Sequence, residues 1–141
     1  ADGSAFAAFK EIVEAQDGDP RVLDDPSLLP GATLTRTFAA PCDGFVAHID
    51  TEAVGIASAE LGAGRLTKED AIDYGAGITL LKNYGDPVVA GEPVAILHAN
   101  DPAKLAAGAE RLAGAYTFAA KQPPATPLLY ATVTRDGIVY A

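Results

Sequence analysis

The sequence of 141 residues contains a single cysteine, two histidines, and neither methionine nor tryptophan. One cysteine cannot form an internal disulfide, and Cys42 has no basic neighbour in sequence that would activate it as a nucleophile. His48 and His98 lie in separate apolar stretches, without a second ligand at the spacing of a zinc site. We therefore expect no metal, no cofactor and no cysteine chemistry.

Basic side chains are also scarce: the sequence has ten lysines and arginines but nineteen aspartates and glutamates, which gives a net charge of −9. This is the wrong sign for binding nucleic acid or an anionic membrane. No apolar run approaches the length of about 18 residues that a membrane helix needs, and the first residues lack the basic stretch and apolar stretch of a signal peptide, so we expect none. The sequence predicts a soluble, cytoplasmic protein.

Apolar residues make up 49% of the chain, which is enough for one domain with a sizeable core. Because the chain lacks methionine and opens with Ala1-Asp2-Gly3, we expect it to be processed or to be a piece of a longer protein. Whether such a truncation is deliberate or proteolytic does not follow from the residues.

The first 30 residues differ in pattern from the rest. Ser4 could cap a helix that ends near residues 16–20, and its apolar positions recur at helical spacing. Three prolines between residues 20 and 31 then predict a connecting segment with one short helical turn and a domain boundary near Pro30. We expect the helix to expose part of its apolar stripe, which would invite self-association. That stripe is Phe6, Phe9 and Val13.

Residues 31–141 are rich in strand signals. Gly62 should end a short helix over residues 52–61, and Thr67 with Asp70 resembles a capping box that starts a second short helix through Asp73. In the strand over residues 45–50, alternation places Phe45, Ala47 and Ile49 on one face and Val46, His48 and Asp50 on the other. The other predicted strands before residue 100 are 33–39, 78–81 and 93–99.

A longer helix should follow Asp101-Pro102 and run to about residue 121. Its buried stripe is predicted to be Leu105, Ala109, Leu112 and Tyr116. Two terminal strands, 128–134 and 138–140, are expected to form a hairpin with Asp136-Gly137 in a type I′ turn.

The glycine-rich stretch of residues 62–67 is the first candidate for chemistry, because glycines let backbone N–H groups approach a phosphate. It lacks the Gly-Lys-Ser/Thr ending of a Walker loop, and it follows a predicted helix rather than a strand, unlike a dinucleotide fingerprint. A tight turn is therefore the favoured interpretation. Adjacent carboxylates such as Asp24/Asp25 and Glu69/Asp70 point in different directions. The residues alone assemble no active site.

Several blocks of the chain nevertheless resemble, in order and spacing, the carboxy-terminal domain of the pyrimidine nucleoside phosphorylase and thymidine phosphorylase family. Upstream, residues 9–20 resemble the last helix of that family's central α/β domain, although the family usually has glycine where Asp17 stands. The resemblance thus divides the chain into residues 1–30, from the preceding domain, and residues 31–141. The resembling blocks are residues 40–50, 54–57, 61–65, 72–73, 75–78 and 85–93.

The resemblance implies a parent enzyme, a pentosyltransferase of pyrimidine nucleoside metabolism in which phosphate displaces the base to form a pentose 1-phosphate. In the family the phosphate and nucleoside bind between the first two domains, and the helical domain makes the homodimer. No lysine here matches a family ligand, so we assign no catalytic or phosphate-binding residue and expect this fragment to be inactive alone. The base-reading residues also lie outside the resembling segment, so thymidine and uridine are not distinguished.

The expected role is therefore structural and conformational, with the domain packed on the parent's own α/β domain while the cleft closes. We place the loop containing Gly62, Gly64 and Arg65 near the boundary between these lobes, because its glycines permit close backbone approach. Arg65 offers a forked cation there.

Residues 40–46 and 85–94 are also similar to the two halves of biotinyl and lipoyl carrier domains. We accordingly expect an α+β fold whose core is a mostly antiparallel barrel-sandwich hybrid, with short inserted helices and one longer covering helix. A carrier function is the alternative to the phosphorylase domain. It is less favoured, because residues 97–101 lack the modifiable lysine and Lys104 falls inside the predicted helix.

Overall fold

The computed structural model describes residues 2–140 as an α+β fold with three small antiparallel sheets. One sheet has the order β1-β5-β3, the second β4-β2-β6, and β7 pairs with β8. The α-helices are α1 (Ser4–Ala15), α2 (Thr51–Ser58) and α3 (Pro102–Ala115). The strands are β1 (Leu34–Ala39), β2 (Gly44–Ile49), β3 (Gly77–Leu80), β4 (Pro87–Val88), β5 (Pro93–Ala99), β6 (Tyr116–Ala119), β7 (Ala131–Thr134) and β8 (Gly137–Tyr140).

The hydrophobic core takes residues from both three-stranded sheets and from α2 and α3. α3 covers this core as the sequence predicts, since Ala109 and Leu112 are buried and Leu105 is half-buried. Asp101 caps α3 by accepting hydrogen bonds from the backbone N–H groups of Ala103 and Lys104. Among residues 2–140, no helix combines the length and hydropathy needed to cross a bilayer.

The carboxy-terminal end of α3 differs from the prediction. The helix stops at Ala115 instead of continuing to about residue 121, and the next residues form β6. β6 pairs with β2, with Tyr116 opposite Ile49. The free edge of β2 and the aromatic and β-branched side chains of Tyr116, Thr117 and Phe118 favour a strand there over the helical spacing. Tyr116 is still buried, but it reaches the core from the sheet, with its ring centroid 5.5 Å from that of Phe38.

The prediction of a second short helix over residues 67–73 is wrong, because the structure has no helix there. Thr67 caps nothing; instead, the Asp70 carboxylate accepts hydrogen bonds from the backbone N–H groups of Leu66 and Thr67. These local bonds offer the backbone an alternative to helical hydrogen bonds, which is why aspartate and threonine favour turns. Residues 67–69 accordingly lie in turns and bends.

The alternation predicted for β2 is interrupted by a bulge. The register with β6 shifts between Val46 and His48, so Ala47 has no partner in that ladder. Val46 is fully buried while His48 is exposed, although strict alternation places both on one face. The extra residue turns the remainder of the strand relative to its neighbour.

The amino-terminal segment differs from the sequence prediction in two details. Ser4 does not cap α1 but lies inside it, and the cap position is Gly3, which makes no side-chain hydrogen bond. The connector contains two 3-10 turns rather than one, Pro20–Leu23 and Pro26–Leu28, each with proline in the first position. α1 has no buried residue; Phe6 and Phe9 are about half exposed and Val13 is half-buried, so the stripe is partly exposed, as the sequence predicts.

The terminal hairpin forms, but its first strand begins at Ala131 rather than at residue 128, and its turn is shifted by one residue. Thr134 pairs with Gly137, so the two loop residues are Arg135 and Asp136 rather than Asp136-Gly137. A type I′ turn requires positive φ at both loop residues, whereas here Gly137 has the positive φ, at +139°. The type I′ assignment is therefore wrong.

Gly108 allows α3 to approach α2 closely, and this predicts the effect of a substitution. A Cβ at this position would lie 2.7 Å from Leu61 Cγ and 3.2 Å from the carbonyl oxygen of Ala57. Gly108→Ala should lower the free energy of unfolding by about 1–3 kcal/mol in urea denaturation, because overpacking outweighs the gain in helix propensity.

Gly114 of the same helix provides the matched control, since a Cβ there would meet no atom within 4 Å. Gly114→Ala should raise the free energy of unfolding by about 0.5–1 kcal/mol. Equal stabilisation by both substitutions would contradict the close contact between α2 and α3.

Candidate functional site

The loop containing Gly62, Gly64 and Arg65 continues directly from α2. A π-helical turn, Ala59–Ala63, follows the helix. Gly62 within this turn has a φ of +115°, a backbone conformation that residues other than glycine rarely adopt. Gly62 is buried, and a Cβ on it would lie 3.3 Å from Asp73 Cβ. Arg65 is exposed. The loop is therefore a helix ending packed against the segment around Asp73, with its cation facing outward.

Asp73 organises a polar network beneath this loop. Its backbone N–H donates to the carbonyl oxygen of Gly62 at 2.9 Å, and its carboxylate accepts from Gly75 N at 3.0 Å and from Asn100 Nδ2 at 2.9 Å. Asn100 in turn accepts at Oδ1 from the backbone N–H and the hydroxyl of Thr33. The network thereby joins the loop after α2 to the start of β1 and the end of β5.

Gly75 brings the segment around Asp73 against the connector that precedes β1. A Cβ on Gly75 would lie 2.7 Å from the carbonyl carbon of Gly31 and 2.9 Å from the nitrogen of Ala32. Such distances to backbone atoms leave no room for a side chain. The connector from α1 therefore passes directly over this segment.

Two aspartates that follow the loop, Asp70 and Asp73, have lowered pKa values. The main cause of the lowered pKa of Asp73 is the hydrogen bond from Asn100, followed by the one from the Gly75 N–H. The positive charge of Lys104 lowers this pKa further. For Asp70 the backbone N–H of Thr67 is the main cause of the lowered pKa, with a smaller contribution from Lys104. Both carboxylates are thus held in the charged form, which suits a structural role rather than proton transfer.

These interactions predict how acid affects an Asp73→Asn variant. A lowered folded-state pKa means that the carboxylate stabilises the fold above its unfolded pKa of about 3.9, and that this stabilisation is lost as the pH falls through the folded-state value. Asp73→Asn should therefore unfold at a lower temperature than the wild type at pH 7, and the difference should shrink at pH 3. Thermal unfolding followed by circular dichroism measures both.

The matched control is Asp136→Asn in the exposed hairpin turn, which should keep the wild-type midpoint at pH 7. A gap between Asp73→Asn and the wild type that widens on acidification would contradict the network.

The other candidate groups lie apart from one another. His98 Nε2 is 3.0 Å from Thr79 Oγ1 across β5 and β3, whereas His48 lies on the other sheet, and Cys42 is exposed. Lys82 pairs with Glu92 at 2.6 Å. Within residues 2–140, no three histidine, cysteine, aspartate or glutamate side chains are grouped as metal ligands.

Sequence reasoning identified the glycines of this loop but missed Asp73 and Asn100. The motif Asp73-Tyr74-Gly75 is a local signal for the aspartate, because an Asx-turn places its carboxylate on the N–H two residues later. The bond from Asn100 joins residues 27 positions apart, so no local pattern predicts it.

Comparison with known proteins identifies the kind of domain that this arrangement represents. Residues 45–119, from β2 to β6, match the family model described as "Pyrimidine nucleoside phosphorylase C-terminal domain". The chain belongs to this family, as its resemblance in sequence indicated.

The relatives are pyrimidine-nucleoside phosphorylases. The chain is 46% identical over 99 residues to that of Geobacillus stearothermophilus and 45% identical over 98 residues to that of Bacillus subtilis (strain 168). Each match covers 70% of this chain but only 23% of the relative, so the chain spans about a quarter of the length of the relatives it matches. The carrier alternative gains no support from these matches, and residues 97–101, where a carrier would present its lysine, contain none.

Proposed function

We propose that this chain is the carboxy-terminal domain of a pyrimidine nucleoside phosphorylase, which converts a nucleoside and phosphate to a base and a pentose 1-phosphate. The observation that carries the proposal is the family match over residues 45–119, together with relatives that are named for this activity. Because the chain spans only 23% of the length of these relatives and none of its lysines matches a ligand of the family, we expect the chain alone to be inactive. The intact enzyme binds phosphate and nucleoside, forms a homodimer and works in the cytoplasm.

The partner of this domain is the α/β domain of the same polypeptide. Residues 1–30 are its last helix and connector, and residues 31–141 are the carboxy-terminal domain. The exposed apolar side chains of α1 support this division, because they would be covered by neighbouring helices or strands of an α/β domain.

The core of the domain is a barrel-sandwich hybrid. In support, each three-stranded sheet combines strands from both halves of the chain, because β1 and β3 flank β5 while β4 and β6 flank β2. The buried residues of the two sheets form a single cluster, as two curled sheets packed face to face require.

The loop with Gly62, Gly64 and Arg65 lies at the boundary between the lobes and takes part in closing the cleft. Arg65 is exposed and free to meet a carboxylate of the neighbouring lobe. The segment around Asp73, on which the loop packs, contacts the connector at Gly31 through Gly75, and this connector leads towards the α/β domain.

A chimera tests the proposed function. The 141-residue chain replaces the corresponding carboxy-terminal segment of the G. stearothermophilus phosphorylase, and phosphate-dependent release of uracil from uridine is measured. The chimera should be active, whereas the same enzyme ending before the segment should be inactive or insoluble. A folded chimera without activity would contradict the proposal.

The role of Arg65 is tested in this chimera. Arg65→Ala should lower kcat/KM by about tenfold, as expected when one charge-assisted contact that favours the closed form is lost. Arg36→Ala, at an exposed position on β1, is the matched control and should leave kcat and KM unchanged. Unchanged kcat and KM in Arg65→Ala would contradict the placement of the loop at the lobe boundary.

A further inference from the structure

The hairpin of β7 and β8 has one apolar and one more polar face. In the described chain these strands pair only with each other, with Ala131 opposite Tyr140 and Val133 opposite Ile138. Residues directly opposite one another in an antiparallel pair share a face. The hairpin's apolar face therefore consists of Ala131, Val133, Ile138 and Tyr140, and the other face of Thr132, Thr134, Val139 and Gly137.

This apolar face is open to solvent. The exposed fractions are 73% for Val133, 55% for Ile138 and 76% for Tyr140. Neither strand carries a charged side chain that would protect its edge, since Arg135 and Asp136 lie in the turn. An isolated two-stranded hairpin is at best marginally stable in water, so a covering layer is required.

The segment before the hairpin is attached by hydrogen bonds to the part of the domain that contains the two three-stranded sheets. Tyr84 donates its hydroxyl to the carbonyl oxygen of Pro124 at 3.0 Å, and Gln122 Nε2 donates to the carbonyl oxygen of Gly85 at 3.3 Å. The chain therefore runs to the hairpin from a point beside the connection between β3 and β4. The hairpin lies beyond residues 45–119, which the family model matches.

The size of the face decides between two possible occupants. Three large side chains can bury on the order of 300 Å², whereas a stable interface between separate molecules needs about 800 Å² from each partner. Two copies of this chain would therefore bury too little through their hairpins. A partner in the same polypeptide has a millimolar effective concentration, for which a small contact is enough. The relatives have further polypeptide that could supply such a partner, since the chain spans only 23% of their length.

We propose that the hairpin's apolar face docks on the α/β lobe of the same phosphorylase polypeptide, as a second attachment in addition to the connector. This inference rests on the proposed function. The proposed hairpin contact differs from the proposed contact of Arg65. The hairpin contact is apolar and anchors the domain, whereas Arg65 acts in closure of the cleft.

Hydrogen exchange followed by mass spectrometry tests the docking in the chimera described above. Backbone amides of residues 131–140 should exchange at least about tenfold more slowly in the chimera than in the 141-residue chain alone, because docking suppresses local opening. The double variant Val133→Thr/Ile138→Thr should lose this protection, whereas Val139→Thr on the opposite face should keep it. Equal exchange in chimera and chain would overturn the proposal.

Two further readouts separate the possible failures. Uracil release by the chimera reports on the proposed function, so an active chimera with an unprotected hairpin rejects only the docking. Sedimentation velocity of the 141-residue chain needs no chimera. The proposal expects no association through the hairpin, and a dimer that Val133→Thr/Ile138→Thr dissociates would identify a second copy as the occupant and overturn it.

Discussion

Replacing Leu112 by alanine is expected to lower the free energy of unfolding by about 2–5 kcal/mol. Leu112 is fully buried, and it lies on the face of α3 that packs into the core cluster with both three-stranded sheets. Removing its branched end costs the transfer free energy of the lost methyl groups and leaves a cavity that the surrounding strands cannot fill completely. Urea denaturation followed by far-ultraviolet circular dichroism measures the change.

Leu129→Ala is the matched control, because Leu129 is 67% exposed in the segment before the hairpin. Its effect should stay within about 0.5 kcal/mol. A loss of less than about 1 kcal/mol in Leu112→Ala would mean that α3 does not cover the core.

Gly44→Ala should have an effect of similar size for a different reason. Gly44 begins β2 with a φ of +148°, and a Cβ on it would lie 2.4 Å from the carbonyl oxygen of Ala119 in β6. Because the obstacle is backbone, β2 and β6 would have to separate, in addition to the backbone strain of about 1–3 kcal/mol. We expect a total loss of about 3 kcal/mol or more in the free energy of unfolding.

Gly77→Ala separates strain from collision. Gly77 has a similar φ of +155°, but a Cβ there would meet no atom within 4 Å. It should therefore show the strain alone, about 1–3 kcal/mol. If both variants lost the same stability, the close approach of β2 and β6 at Gly44 would be contradicted.

The elements that could be predicted from the sequence are those specified by local signals. β5 was predicted at its observed bounds because an apolar run of suitable length lies between turn residues. The start of α3 was predicted because Asp101-Pro102 is a strong capping signal. The end of α3 was not, because Tyr116 fits a helical stripe equally well and only the edge of β2, distant in sequence, favours a strand.

The candidate site shows the same division. The requirement for glycine at position 62 follows from its place at a helix end, where the backbone takes a positive φ. The contact of Gly75 with Gly31 is different, because it depends on the path of a connector that lies far earlier in the chain. Packing between distant segments leaves no periodic pattern in the sequence.

The most direct test of the account is a phosphorolysis assay of the purified 141-residue chain. With uridine or thymidine and an excess of phosphate, the chain should release no uracil or thymine above the uncatalysed background, while an intact phosphorylase relative releases the base under the same conditions. Sustained, phosphate-dependent release by the chain alone would place a complete active site within it, and would contradict the assignment of this chain to a domain that supplies no reacting group.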